Sequence, residues 1–164
     1  MERLTEANDE VQWTIHRYRY QVASQFTRDS DVVLDAACGI GYGAGILSGE
    51  WIGADKEPPD RFDALTVDLN TWEPTFDYDC FVGLETIEHL DSLDAYVAAA
   101  KRALRTIVIS TPIIPTIHFN PFHKRDFTKE SLEELFSDWQ VVHYEPQIDP
   151  LLGIPTYGIW AFAR

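Results

Sequence analysis

A chain of 164 residues, 45% hydrophobic and 13% aromatic, has apolar material for one packed core and too little length for two. Its 27 acidic and 13 basic residues give a net charge of −14 and a pI near 4.5, so most of its surface repels phosphate backbones, which argues against nucleic acid as a partner. No apolar run approaches the roughly 20 residues that span a bilayer, and the opening MERLTEANDE is acidic where a signal peptide is basic and then apolar. A cytoplasmic protein without membrane association, forming one domain over residues 1–164, is the expectation. Cys38 and Cys80 lie in separate apolar segments without CxxC spacing and are expected to be reduced and buried.

In chain order, Val11 to Phe26 can be drawn as an aromatic amphipathic helix within a leading helical segment, residues 1–30. Short apolar runs then alternate with helical stretches: strands are expected at Val32 to Ala36, Trp51 to Ala54, Ala64 to Val67, Cys80 to Gly83 and Thr106 to Ser110. A helix is expected to begin near Ala44. Another, from Ser92 to Leu104, carries Leu93, Val97, Ala100 and Leu104 at helical spacing, with Asp91 or Ser92 as its cap. Lys129 to Ser137 forms a further helix capped by Thr128. Gln140 to Tyr144 and Tyr157 to Phe162 form an antiparallel hairpin at the sheet edge, joined by the connector Pro146 to Pro155. This alternation gives an α/β fold with a doubly wound, mainly parallel sheet whose ligands sit beyond the carboxyl ends of the strands.

The central signal is DVVLDAACGIGYGAGIL, a strand ending in Asp35 followed by Gly39, Gly41 and Gly43. Glycines there let backbone approach a ligand closely. Gly39, Gly41 and Ala44 also satisfy the GxGxxA form of the dinucleotide fingerprint, so a nicotinamide-dependent oxidoreductase has to be weighed. Asp35 decides against it, because a carboxylate at the loop mouth opposes a pyrophosphate and attracts the amino group of a methionine moiety. The expected cofactor is S-adenosylmethionine. Asp55, in WIGADK, can accept from a ribose diol, and Asp68, in LTVDLN, from an adenine amine with Leu69 against the ring. Each of the three aspartates can also be read as a solvated turn residue of an acidic chain.

DAACGIGYG, WIGADK, LTVDLN and DCFVGLETIEHL resemble, in order and spacing, the first four motifs of class I S-adenosylmethionine-dependent methyltransferases. Together with HRYRYQVA ahead of the first strand and FNPFHKRDFT after the fifth, they are similar to a bacterial and phage branch of small-molecule enzymes, the methyltransferase 11/23-like group. The resemblance implies a Rossmann-like fold and a small-molecule methyl acceptor. It implies cofactor contacts from Asp35, Ala37, Cys38, Gly39 and Gly41 in the loop. Asp55 and Lys56, Asp68 and Leu69, and Leu84 and Glu85 supply the contacts from the next strand ends. It also implies that the leading helix closes over the cofactor, with Arg17 or Tyr18 at its carboxylate. The twelve residues between Asp55 and Asp68 are too few for the usual helix, and no inserted substrate lid is visible, so the fold is a minimal one.

Glu85, Glu88 and His89 fall at i, i+3 and i+4 and would share one face if a helix begins there. In one reading the string shapes the cofactor pocket. In the other, it ligates a divalent cation such as magnesium or manganese, completed by His123 or His118. The latter arrangement resembles the metal-assisted O-methyltransferases of quinone biosynthesis and of small-RNA 2′-hydroxyl methylation. His89, Glu85 and His123 are the catalytic candidates, with an imidazole as base for a small-molecule hydroxyl. Phe119, Phe122 and Phe127 either floor an acceptor pocket or form the loop's own small core. A cofactor-binding module without catalysis is a further reading.

Overall fold

The computed structural model describes residues 10–58, 60 and 62–164. Seven strands form one sheet: β1 (Val32–Ala36), β2 (Glu50–Asp55), β3 (Leu65–Thr66), β4 (Cys80–Leu84), β5 (Thr106–Pro112), β6 (Gln140–Ile148) and β7 (Pro155–Ala163), in the order β3-β2-β1-β4-β5-β7-β6. The first five run parallel; β7 pairs antiparallel with β5, and β6 with β7. The chain moves outward from β1 to β3 and then returns to place β4 beside β1. That reversal opens a crevice beyond the carboxyl ends of β1 and β4.

Alternation along the strands divides the core between two faces. Val33, Val82, Val108, Ile159 and Ala161 meet Tyr20, Val22 and Ala23 of α1 (Glu10–Ser24). On the other face, Leu34, Phe81, Ile107, Ile109, Trp160 and Phe162 join a cluster with residues of α2 (Asp94–Lys101) and α3 (Lys129–Leu135), among them Tyr96, Ala99 and Leu132. β4 and β5 are buried along their whole length, as central parallel strands covered on both faces are. The expected strands and doubly wound layering are present, and Cys38 and Cys80 are buried free thiols.

The helix expected from Ala44 does not form. Tyr42–Gly45 makes a single 3₁₀ turn, and the chain is already in β2 at Glu50. Gly43 and Gly45 are poor helix formers, and Gly43 is pressed so closely on the sheet that a Cβ there would stand 2.3 Å from Asp35 Oδ2 and 2.6 Å from the Tyr20 ring. The turn closes instead with the Ile46 and Leu47 amides both on the Gly43 carbonyl, at 3.0 and 2.9 Å.

α2 is shorter than its apolar spacing predicts. At its start the amides of Asp91 and Ser92 are bound by Asn70 Oδ1 at 2.8 and 3.2 Å, outside any helix, and Leu93 occupies the cap position. Ser92 Oγ accepts only the Asp94 amide, at 3.4 Å. At its end Leu104 donates to the Tyr78 carbonyl at 3.0 Å, which draws the chain into β5. Thr128 does cap α3: its hydroxyl accepts from the Ser131 amide at 3.1 Å while Ser131 Oγ accepts from the Thr128 amide at 2.9 Å.

The carboxyl-terminal hairpin is longer than its sequence pattern predicts, its connector reduced to residues 149–154. Pro146 lies inside β6, which is tolerated because β6 is the sheet edge. Asp149 Oδ1 closes the tip by accepting the amides of Leu151 and Leu152 at 2.8 and 2.9 Å.

The turn into β2 depends on Gly49, whose φ of +103° is a glycine conformation and whose hydrogen faces the carbonyl of Asp31. A Cβ would stand 2.4 Å from that oxygen and 2.7 Å from the Arg28 carbonyl. Gly49→Ala is expected to cost at least about 2 kcal/mol in denaturant unfolding, since backbone strain and steric overlap add.

Candidate functional site

The crevice at the strand reversal holds a cavity of about 150 Å³. Asp55 and Lys56 border it from the end of β2, Val67, Asp68, Leu69 and Asn70 from the segment after β3, and Ala37 from the glycine loop. Glu85, Thr86, His89, Leu90 and Asp91 close it from beyond β4. Among the described residues, the non-glycine residues with positive φ are Ala37, at 66°, and Glu85, at 51°. Both line this cavity. Backbone held in that region is disfavoured, and such strain collects where a site requires it.

The loop is tied to β2 by its amides. Ala37 and Cys38 donate to the Ala54 carbonyl at 2.7 and 3.1 Å, and Gly39 donates to Asp55 Oδ2 at 2.9 Å, while Asp55 Oδ1 accepts from the Glu57 amide at 2.9 Å. Asp55 thus organises the loop as well as facing the cavity. A Cβ on Gly39 would meet nothing within 4 Å, so the loop presents bare backbone to open space there. At Gly41 the space is filled, since a Cβ would stand 2.4 Å from the Phe62 ring. Cys38 and Leu84 are buried behind the loop and strand.

On the opposite lip, Asp68 Oδ1 accepts from the backbone and side-chain amides of Asn70 at 3.0 and 2.8 Å, which lowers the Asp68 pKa. Through its grip on the Asp91 and Ser92 amides, Asn70 joins this lip to the loop after β4. Sequence reasoning passed over Asn70, although an Asn two residues beyond a strand-end Asp is an Asx-turn signal.

Asp35 does not border the cavity. It is fully buried, with Tyr20 Oη donating to its two oxygens at 3.0 and 3.2 Å and Trp51 Nε1 donating at 2.9 Å. Burial pushes its pKa up to about 7 against those hydrogen bonds. The carboxylate read from the sequence as a ligand for an amino group therefore locks α1 and β2 to β1.

The residues of α1 that reach the site are also not the expected pair. Arg17 is exposed, and Tyr18, 39% exposed, bonds Glu145 at the sheet edge. His16, Arg19, Tyr20 and Ala23 sit at i, i+3, i+4 and i+7, and that spacing turns them inward. Arg19 is 2% exposed: it pairs with Glu85, its Nε donates to Gln147 Oε1 at 2.7 Å, and its guanidinium lies 3.9 Å from the centre of the Tyr157 ring. His16 Nε2 lies 2.8 Å from the other Glu85 oxygen. Burial, with Arg19 adding to it, pushes the His16 pKa down to about 3, so His16 is neutral and donates to Glu85. Beyond Glu85 a second cavity, of about 210 Å³, lies between α1 and the β6–β7 hairpin.

Of the expected metal set, Glu88, His89 and His123 come together, each offering an atom within 4.8 Å of the others. Glu85 is not among them, because the helix assumed to align it is a short 3₁₀ turn, Ile87–His89, and its left-handed backbone turns it toward α1. His118 also lies outside this group. Glu88 is buried, takes a hydrogen bond from Thr111 Oγ1 at 3.1 Å, and has its pKa pushed up to about 7 by burial.

Asn120 Oδ1 accepts the Phe122 amide at 2.9 Å, which leaves Asn120 Nδ2 to donate to His123 Nε2 at 3.0 Å. His123 Nδ1–H then donates to Thr116 Oγ1 at 2.6 Å, and Thr116 to Asp126. A cation would have to displace Asn120 to reach a His123 lone pair, so the donor set does not fit a ready metal centre. His89 Nδ1 donates to the Phe122 carbonyl at 3.1 Å, placing its lone pair on Nε2. Phe127 packs in the core while Phe119 is 86% exposed, so these aromatics do not form the floor of one pocket.

No protein-family profile and no curated protein sequence matches the chain. Solved structures do. The 1,6-didemethyltoxoflavin-N1-methyltransferase of Burkholderia thailandensis, with its substrate and S-adenosylhomocysteine bound, aligns at TM-score 0.74 and 18% identity over 93% of this chain and 80% of its own. The magnesium protoporphyrin IX methyltransferase of Synechocystis aligns at TM-score 0.69 and 14% identity over 100% and 89%. The N-methyltransferase NodS of Bradyrhizobium japonicum aligns at TM-score 0.71 and 12% identity over 96% and 89%. The fold of this chain is the class I S-adenosylmethionine-dependent methyltransferase fold. No helix among the described residues is long and apolar enough to cross a membrane.

The buried Asp35 gives a pH dependence of definite sign. Its carboxyl titrates near 3.8 when unfolded and near 7 when folded, so between those values the folded chain holds a proton that the unfolded chain has released. Its contribution is full below about pH 4 and is lost as pH rises to about 7. The stability gap between the parent and Asp35→Asn is expected to narrow with rising pH, by at most about 1.4 kcal/mol per unit. Urea unfolding at about pH 5 and about pH 7.5 reads this directly; a constant gap would rule it out.

Proposed function

We propose that this chain, with its class I methyltransferase fold, is an S-adenosylmethionine-dependent methyltransferase acting on a small molecule. What carries the reading is the cavity itself, bounded by the two left-handed non-glycine residues, Ala37 and Glu85, and edged by a carboxylate at each of three strand ends, Asp55, Asp68 and Glu85. The residues fit a cationic nucleoside. Asp55 faces the place of a ribose diol, and Val67, Leu69 and Leu90 offer apolar surface to an adenine with Asp68 at its edge. Glu85 stands at the far end, where a carboxylate favours a sulfonium and an amino group. Arg19, and not Arg17 or Tyr18, is the α1 cation turned toward this end of the site, where it pairs with Glu85.

A pyrophosphate is poorly served here. Its usual seat is the amino end of a helix after the glycine loop, and this chain has only a 3₁₀ turn there, with the Gly39 amide already bound by Asp55. The nicotinamide alternative therefore loses its main support.

When bound, S-adenosylmethionine supplies an activated methyl group on a sulfonium. The residues of the chain hold the nucleoside, exclude water with α1, and align the acceptor, and alignment provides much of the rate of such a displacement. For the hydroxyl acceptor that the sequence suggests, the base would be His89 Nε2. His89, however, borders the nucleoside cavity and is absent from the lining of the second cavity.

Thermal melting is expected to rise with S-adenosylmethionine or S-adenosylhomocysteine and to stay unchanged with NAD, as a ligand of the folded state stabilises it. Stabilisation by NAD alone would overturn the reading, and binding without turnover of any acceptor would favour a non-catalytic module. Asn70→Ala is expected to weaken S-adenosylhomocysteine roughly tenfold by calorimetry, the loss of about 1.4 kcal/mol when Asp68 and the Asp91 loop come apart. Because His123 is held by Asn120 and Thr116, transfer is expected to persist in excess chelator. Loss restored by manganese would return Glu88, His89 and His123 to the role of metal ligands.

A further inference from the structure

The reading above leaves the acceptor undefined, and the second cavity bears on it. This cavity shares one wall with the nucleoside cavity: Glu85 lines both. Arg19, which pairs with Glu85, lines it too, as do Gln147, Asp149, Thr156 and Tyr157. Among the described residues its charges are two carboxylates, Glu85 and Asp149, against the one guanidinium of Arg19, and His16 beside Glu85 is neutral.

That composition selects among nucleophiles. A carboxylate acceptor would meet a net negative wall. A hydroxyl needs a base to develop alkoxide character, and no imidazole lines the cavity; the neighbouring His16 already directs its proton at Glu85 and is too weak a base at a pKa of about 3. A small amine enters as its ammonium form, releases that proton to bulk water, attacks as the neutral amine and becomes cationic again as it reacts, which the carboxylates favour. Unlike a hydroxyl, it needs no base to hold its proton in the transition state.

We propose that the cavity beyond Glu85 is the acceptor pocket and that the acceptor is a small primary or secondary amine. This rests on the methyltransferase reading and narrows it. The amine lone pair forms the new N–C bond as the C–S bond breaks, with that electron pair returning to sulfur. Positive charge thus passes from sulfur to nitrogen across Glu85, which borders both sides, and the nitrogen then gives its proton to Glu85 or water. Asp149 holds the amine from the opposite wall, while its Oδ1 keeps the hairpin tip closed.

The test uses three probes of one shape, benzylamine, benzyl alcohol and benzoate, titrated calorimetrically into the full chain saturated with S-adenosylhomocysteine. Benzylamine is expected to bind at least about tenfold more tightly than either of the others. Asp149→Asn, which keeps the acceptor for the tip amides, is expected to remove most of that preference without changing the affinity for S-adenosylhomocysteine. With S-adenosylmethionine, formation of S-adenosylhomocysteine is expected with benzylamine and not with benzoate. Equal or absent binding of all three probes, preference for the alcohol or the acid, or a preference untouched by Asp149→Asn overturns the amine assignment. Failure to bind either cofactor form would instead sink the methyltransferase reading, and the first titration, before any probe is added, reads that separately.

Discussion

The burial of Arg19 is the constraint on which the site depends. A guanidinium that is 2% exposed is strongly destabilising unless its charge and donors are met, and even so its pKa is pulled down to about 10 by burial. Its partners come from three places distant in sequence: Glu85 beyond β4, Gln147 on β6 and the Tyr157 ring on β7. Gln147 also donates from Nε2 to the Ile15 carbonyl at 3.2 Å, so the same side chain fixes the helix backbone. α1 is thereby fastened across the carboxyl ends of β4 and β6 and the amino end of β7, and the two cavities are the spaces left on either side of the Glu85 that holds it.

Shortness shapes the rest. This chain replaces the helix between β1 and β2 with a glycine turn, and no helix joins β2 to β3 or β3 to β4 among the described residues. Polar side chains then do what helices do elsewhere. Asp55 anchors Gly39 and Glu57, Asn70 bridges two lips of the cavity, and Asp35 holds Tyr20 and Trp51. Among the described residues, one face of the sheet is covered by α1, the glycine-loop turn and Phe62, and the carboxylate near the end of β1 ties α1 to β2.

How much of this was readable from the sequence follows from the range of the interactions. β1, β4 and β5 were legible because their apolar runs are continuous and buried on both faces, and the cap at Thr128 because a capping box is local. The cavity wall formed by Asp55, Asp68 and Leu69 followed from position at strand ends. What failed depended on long-range partners. Nothing near Asp35 in sequence reveals that Trp51 and Tyr20 enclose it. The alignment of Glu85 with Glu88 assumed a helix, whereas the left-handed backbone at Glu85 sends it to Arg19. The reading offered Arg17 or Tyr18, whereas the spacing from His16 to Ala23 already marks the inward face of α1, on which Arg19 lies.

The electrostatics of the cavity bear on turnover as well as binding. In the proposed reading the cofactor enters with one more positive charge than its product leaves with. A carboxylate beside the bound cofactor would distinguish the two, since unit charges about 4 Å apart interact by about 4 kcal/mol at an effective dielectric near 20. The acidic wall therefore binds the charged form in preference and weakens its hold once the charge has moved to the acceptor. For a chain of net charge −14, the same field adds a longer-range attraction for cations and repels anions. Arg19 limits this effect at Glu85, because a wall with no counter-charge would hold a cationic methylated product too firmly. In the proposed reading, the ion pair that fastens α1 thus also moderates the field of the acidic wall.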